Sequence, residues 1–228
     1  MPKPERIDVA AALEAIFKGE RELRKLNESV LRAPHGELLE QTAKAIDAAK
    51  KEKTKEERVA RLIAVSRVLR SVPGPKAVDL IIDVLNDDEE DARVAAGMIL
   101  EDVAGDRFGE FRKGFERALK RLGPGSIALC ELPFVLLGLE DVDPFPMLQA
   151  MLGHEDPEAV GATIEAFVEL ADPAAIALLE PLLEDARPVR LDDESTGESE
   201  QLTVGDLAAD AIDALREVAG MVAPDEEG

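Results

Sequence analysis

The chain has 228 residues, 46% hydrophobic and 33% charged, enough for a sizeable core in one elongated domain or two small ones. It holds no Trp, no Tyr, two His and one Cys, which excludes an internal disulfide and any thiolate-rich metal site and fits a reducing compartment. The formal charge of −22 is lopsided: residues 1–121 carry 24 Lys+Arg and 24 Asp+Glu, whereas residues 122–228 carry 3 Lys+Arg and 25 Asp+Glu. Such a field disfavours direct contact with nucleic acid or anionic lipid and attracts basic partners in a salt-dependent way. No apolar run approaches the roughly 20 residues of a membrane span, and the opening MPKPERIDVAAALEAI lacks the order of a secretion signal, so a cytoplasmic location is expected.

In chain order, DVAAALEAIFKGERELRKLNESVLRA predicts one or two helices that cap the molecule over residues 1–36. GELLEQTAKAIDAAKK and KEERVARLIAVSRVLRSV form a helical hairpin over residues 37–72, ending at Val72-Pro73-Gly74. From there the chain repeats itself. DARVAAGMILEDVAG (Asp91 to Gly105) and DLAADAIDALREVAG (Asp206 to Gly220) share Asp, Ala, Leu, Val, Ala and Gly at matching places. EAVGATIEAFVELAD places Thr163, Phe167 and Leu170 where the first copy has Ala96, Leu100 and Val103. A weaker copy places Cys130, Phe134 and Leu137 there. Small, then apolar at four and seven residues on, is one face of a helix.

A second amphipathic segment precedes each of the three clear copies, with Leu80, Val84 and Leu85 matching Met147, Met151 and Leu152 and then Leu178, Leu182 and Leu183. The unit is therefore a helical hairpin of roughly 31 to 34 residues, about four of them over residues 73–221, before an acidic tail at 222–228. Start signals agree: Asp143-Pro144, Asp156-Pro157 and Asp172-Pro173 put an acceptor before Pro, and Thr203 to Asp206 resembles a capping box. The fold class expected is all-α, with no strand.

AVDLIIDVLNDDEEDARVAAGMILEDVAG, DPEAVGATIEAFVELADPAAIALLEPLLEDA and TVGDLAADAIDALREVAG resemble HEAT-like repeats of the phycobilisome-lyase type. The resemblance covers roughly residues 74–220, strongly in three hairpins and loosely from about 107 to 139. It implies a right-handed α-solenoid offering a concave surface to other macromolecules.

Several stretches carry competing readings. The last hairpin is interrupted near 187–203 by an acidic insertion with Asp192, Asp193, Glu194, Glu198 and Glu200, read as a solvated loop or, through Asp192, Glu194 and Gly197, as a calcium frame that lacks its Glu at Thr203. NDDEED, Asn86 to Asp91, is a helix-start cluster or an acid–base group. RFGEFRKGFERALKRL interleaves Phe108, Phe111 and Phe115 with six cations, as an amphipathic helix or a phosphate-binding face. Cys130 reads as a small core residue, and His35 and His154 have no partners for a zinc site. No catalytic residue, metal or cofactor is expected.

The segment SIALCELPFVLLGL is the most informative. Arg93, Gly97 and Glu101 form a polar stripe in the first copy, whereas the equivalent positions are Ile127, Glu131 and Val135, then Val160, Ile164 and Val168. Either these helices are wholly buried, or they form an apolar groove rimmed by Glu131, Glu165 and Glu169. The function expected is a non-enzymatic interaction module or scaffold for a basic or amphipathic protein partner, the contact residues being Ile127, Glu131, Val135, Val160, Ile164, Glu165, Val168 and Glu169. Homo-oligomers are compatible with the charge asymmetry. The alternatives are an acidic inhibitor masking a nucleic-acid-binding partner, or a chromophore-lyase subunit implied by the resemblance.

Overall fold

A computed structural model describes residues 8–140, 142–192 and 199–220. Its elements are α1 (Val9–Val30), α2 (His35–Ala49), α3 (Lys55–Arg70), α4 (Pro75–Leu85), α5 (Glu90–Arg121), α6 (Ile127–Leu137), α7 (Phe145–Met151), α8 (Pro157–Leu170), α9 (Ile176–Leu179, flanked by single turns of 3₁₀ helix), β1 (Pro188–Asp192), β2 (Ser199–Thr203) and α10 (Val204–Val218). Apart from one strand pair the described chain is helical, and no helix in it is long and apolar enough to cross a membrane.

The helices pack in sequence order: α3 on α5, α5 on α6, α6 on α8, α8 on α10, with α2, α4 and α7 each against the helix that follows. Two hairpins share α5. It runs through the first repeated copy, leaves helical geometry at Arg107 (φ −146°, ψ 51°) and continues as the Phe-rich segment. The break has a use, because the Arg107 guanidinium donates to the carbonyls of Arg70 and Val72, capping the end of α3. Beyond it, Phe111 and Phe115 are fully buried and stacked 6.4 Å apart. Two cations of this segment pair within the chain: Arg117 binds Asp79 and Arg121 binds Asp83, both on α4. Close approach of α4 and α5 depends on Gly114, where a Cβ would lie 2.4 Å from Val78 Cγ1.

The turns that open the second helix of each hairpin are tied to one another. Fully buried Asp87 accepts from Arg58 at the start of α3, and Asn86 accepts from the Ala128 N–H at the start of α6. Buried Asp156 accepts from the Gly125 N–H one turn back and caps α8 through Glu158 N–H. Arg187 donates to the carbonyls of His154 and Glu155. These bonds satisfy helix-end groups that would otherwise be orphaned. The acids of Asn86 to Asp91 thus serve the turn, and no group of three His, Cys, Asp or Glu able to hold a metal occurs among the described residues. His35 Nε2 lies 2.8 Å from the Pro73 carbonyl, and His154 Nδ1 accepts from the Asp156 N–H.

Two expectations need correction. The insertion is not a plain loop: β1 and β2 pair antiparallel with Val189 opposite Leu202, and Val189 is buried. Asp192 and Glu200 lie in these strands, whereas Asp193, Glu194, Glu198 and the tail 222–228 fall outside the described residues. Thr203 forms with Asp206 the capping box that its residue type indicates, opening α10. The segment before the insertion does not make a regular helix, because Pro181 has no N–H to donate and breaks it into 3₁₀ and α turns. At the other end of the chain, none of the residues of α1 is buried.

Candidate functional site

The polar stripe of the first repeated copy meets α6. Arg93 Nε donates to Glu131 Oε1 at 2.8 Å, and Val135 Cγ2 lies 3.6 Å from where a Cβ on Gly97 would stand. The Glu101 carboxylate sits over Gly138, its oxygen 2.6 Å from that residue's ideal Cβ position. Arg93, Gly97 and Glu101 therefore form part of an inter-helix seam. Burial, with the neighbouring charge of Asp102, pushes the Glu101 carboxyl above its usual range.

This seam fixes the rotation of α6. Its buried residues are Ala128, Leu129, Leu132, Pro133, Val135 and Leu136, while Cys130, Phe134 and Leu137 are only half-buried. The expected frame was thus turned: Val135 faces the core, and Cys130 and Phe134 turn toward the next helices. Val160, on α8, is likewise fully buried.

An open cleft of about 630 Å³ lies where α6, α8, β1 and α10 converge. Cys130 and Phe134 come from α6; Gly161, Ala162, Ile164 and Val168 from α8; Val189 from β1; and Leu207, Ala211 and Ala214 from α10. Its hollowness has a direct cause in the sequence: Gly161, Ala162, Ala211 and Ala214 are small where the helices face each other. Gly161 also lets β1 and α10 approach, for a Cβ there would lie 3.2 Å from both Val189 Cγ1 and Leu207 Cδ1. The acids on the lining are Glu158, Glu165 and Asp210, of which Glu165 and Asp210 are exposed. Apolar floor and acidic edge share one site.

Of the expected contact residues, Ile164, Glu165 and Val168 line the cleft. Ile164 is 2% exposed and forms its floor. Ile127 and Glu131 are half-buried, Glu169 is exposed, and none of the three lines it. The largest omission was α10, whose Leu207, Ala211 and Ala214 recur at helical spacing; the sequence does carry that signal, beside the buried row Ala208, Ile212 and Leu215.

Cys130 is not a plain core residue. Burial, reinforced by Asp156, Glu158 and Glu131, pushes its thiol up to about 11, so it stays protonated at neutral pH and is a poor nucleophile.

No protein-family model matches the chain, and no curated protein matches it. The crystal structure of an engineered protein from a structural genomics consortium is 14% identical over 86% of this chain and 97% of that one, with a TM-score of 0.32. A likeness of that depth carries no argument about fold or function.

Proposed function

We propose that this chain is a right-handed α-solenoid of HEAT-like hairpins that acts, without catalysis, as a protein-binding module whose cleft takes an apolar segment with basic flanks. The carrying observation is the coincidence of an open cleft with an apolar floor and the exposed carboxylates Glu165 and Asp210 at its edge. It lies in the half of the chain that holds the whole net negative charge. Consecutive packing of α3, α5, α6, α8 and α10, with their linked turns, supports the repeat reading. A protonated Cys130 beside the cleft fits binding rather than nucleophilic chemistry.

The geometry implies a sequence of events. The long-range field of the C-terminal half speeds encounter with a basic partner, and burial of apolar side chains over Ile164, Val168 and Leu207 then sets residence time. The test uses a Lys/Leu amphipathic helical peptide, with a Glu/Leu peptide as control, titrated against the full chain and its Ala214→Trp variant. Ala214 is half-buried on the cleft wall, so Trp fills the space while the fold is checked by circular dichroism. The Lys peptide is expected to bind in a salt-sensitive way, and the variant to lose at least about tenfold in affinity. Equal binding by the variant would refute the assignment of the cleft, and failure of the Lys peptide to bind would refute the chemistry assigned to its occupant.

A further inference from the structure

The first helix presents an unexplained face. In α1, Val9, Leu13, Ile16, Glu20, Leu23, Asn27 and Val30 follow one another in alternating steps of four and three, the spacing of a helix–helix seam. Phe17, Leu26 and Leu31 widen that seam on both sides. Yet no residue of the helix is fully buried: Val9 is 65% exposed, Ile16 57% and Leu26 63%. Beside its second half lies a slot of about 300 Å³, with Leu23 and Val30 on one wall and Leu38, Val65 and Val68 of α2 and α3 on the other. A helix wide enough to pack on two sides thus borders a slot wide enough to receive apolar side chains.

We propose that α1 is the surface through which two copies of this chain associate, the two helices running antiparallel and the first half of each entering the slot beside the other. Three observations choose this occupant. Antiparallel overlap about the helix midpoint sets Ile16 opposite Leu23, Leu13 opposite Leu26 and Val9 opposite Val30, so the exposed first half of one copy covers the slot-lining half of the other. The same overlap sets Glu20 opposite Gly19 of the second copy, where no side chain stands and nothing lies within 4 Å, whereas a parallel pair would place Glu20 against Glu20. The exposed apolar side chains of α1 offer an area on the order of 700 Å² per copy, close to the ~800 Å² each partner gives in a standard interface. A lipid surface fits less well: α1 has four Lys/Arg and four Glu, and the chain as a whole carries −22. This surface lies at the opposite end of the chain from the cleft described above and does not depend on that site's occupant.

The test measures the mass of the full chain by sedimentation over a dilution series. A two-chain mass is expected, with Ile16→Asp weakening self-association by about a hundredfold. Because no α1 residue is buried, the variant should keep the parent's thermal midpoint when both are compared as monomers. Orientation is read by mixing Leu13→Cys and Leu26→Cys chains, each also carrying Cys130→Ala, under mild oxidation. Cross-links between the two variants, and not within either, are the expected result. Cross-links between two Leu13→Cys chains would overturn the antiparallel arrangement. A single-chain mass throughout the series, including any case in which the chain instead binds phosphatidylcholine/phosphatidylserine vesicles, would overturn the proposal.

Discussion

Asp87 shows how one side chain holds three parts of the fold. It is fully buried; Oδ2 accepts from Arg58 Nη2 at 2.8 Å and from Nε at 3.3 Å, while Oδ1 accepts from the Glu89 N–H at 3.1 Å. Asp87→Ala would strand both a largely covered guanidinium and a helix-start N–H, so urea unfolding should show a loss of about 2–3 kcal/mol. Asp88, exposed and 3.5 Å from the same guanidinium, should cost far less when replaced. Glu101 carries the opposite sign. Its folded carboxyl is raised by burial, so the folded state binds its proton more tightly than the unfolded state does. The resulting stability is present below the ordinary carboxylate pKa and lost as pH rises through the raised value. Glu101→Gln is therefore expected to raise the thermal midpoint at neutral pH and to leave it nearly unchanged in acid, which a pair of melts would check.

At the scale of elements, the α4–α5 contact sets a strict size limit. A Cβ on Gly114 would fall 2.4 Å from Val78 Cγ1 and 2.7 Å from its Cβ, and Val78 is fully buried, so the two helices would have to separate. Gly114→Ala should cost about 1–3 kcal/mol, while Gly109→Ala, exposed in the same helix with open space around it, should gain up to about 1 kcal/mol. These are the sites at which helix propensity and packing part company. Helices such as α4, α8 and α10 were legible from apolar spacing because each presents a face of period 3.6, and the caps at Asp156, Asp172 and Thr203 were legible from residue type. The rotation of α6 was not, since nearly every residue in IALCELPFVLL is apolar and gives no direction. Only contact with Gly97 and Arg93 turns Val135 inward and leaves Cys130 and Phe134 on the cleft. The strand pair escaped notice because its alternation covers only Val189 to Asp192, too short to stand out from an acidic loop. The cleft was missed in part because it is made by small residues on α8 and α10, and a hollow leaves no periodicity of its own.

For the whole molecule, the division of charge matters more than its total. Arg117 and Arg121 of α5 pair with Asp79 and Asp83 of α4, so those two acids are neutralised locally, whereas residues 122–228 have three cations for 25 acids. Association with a basic partner should therefore slow markedly as salt is added, with dissociation changing much less, a pattern that stopped-flow measurements at several salt concentrations would show. The proposed binding surface is the cleft between α8 and α10. It is tested most directly by photo-crosslinking: a Lys/Leu amphipathic peptide with a photoreactive residue on its apolar face is bound to the full chain, irradiated, and its attachment sites mapped by mass spectrometry. The expected attachments fall on the cleft-lining segments 161–168 and 207–214 and disappear in Ala214→Trp. Attachments confined to α1, α2 and α3, or unchanged by that substitution, would contradict the account.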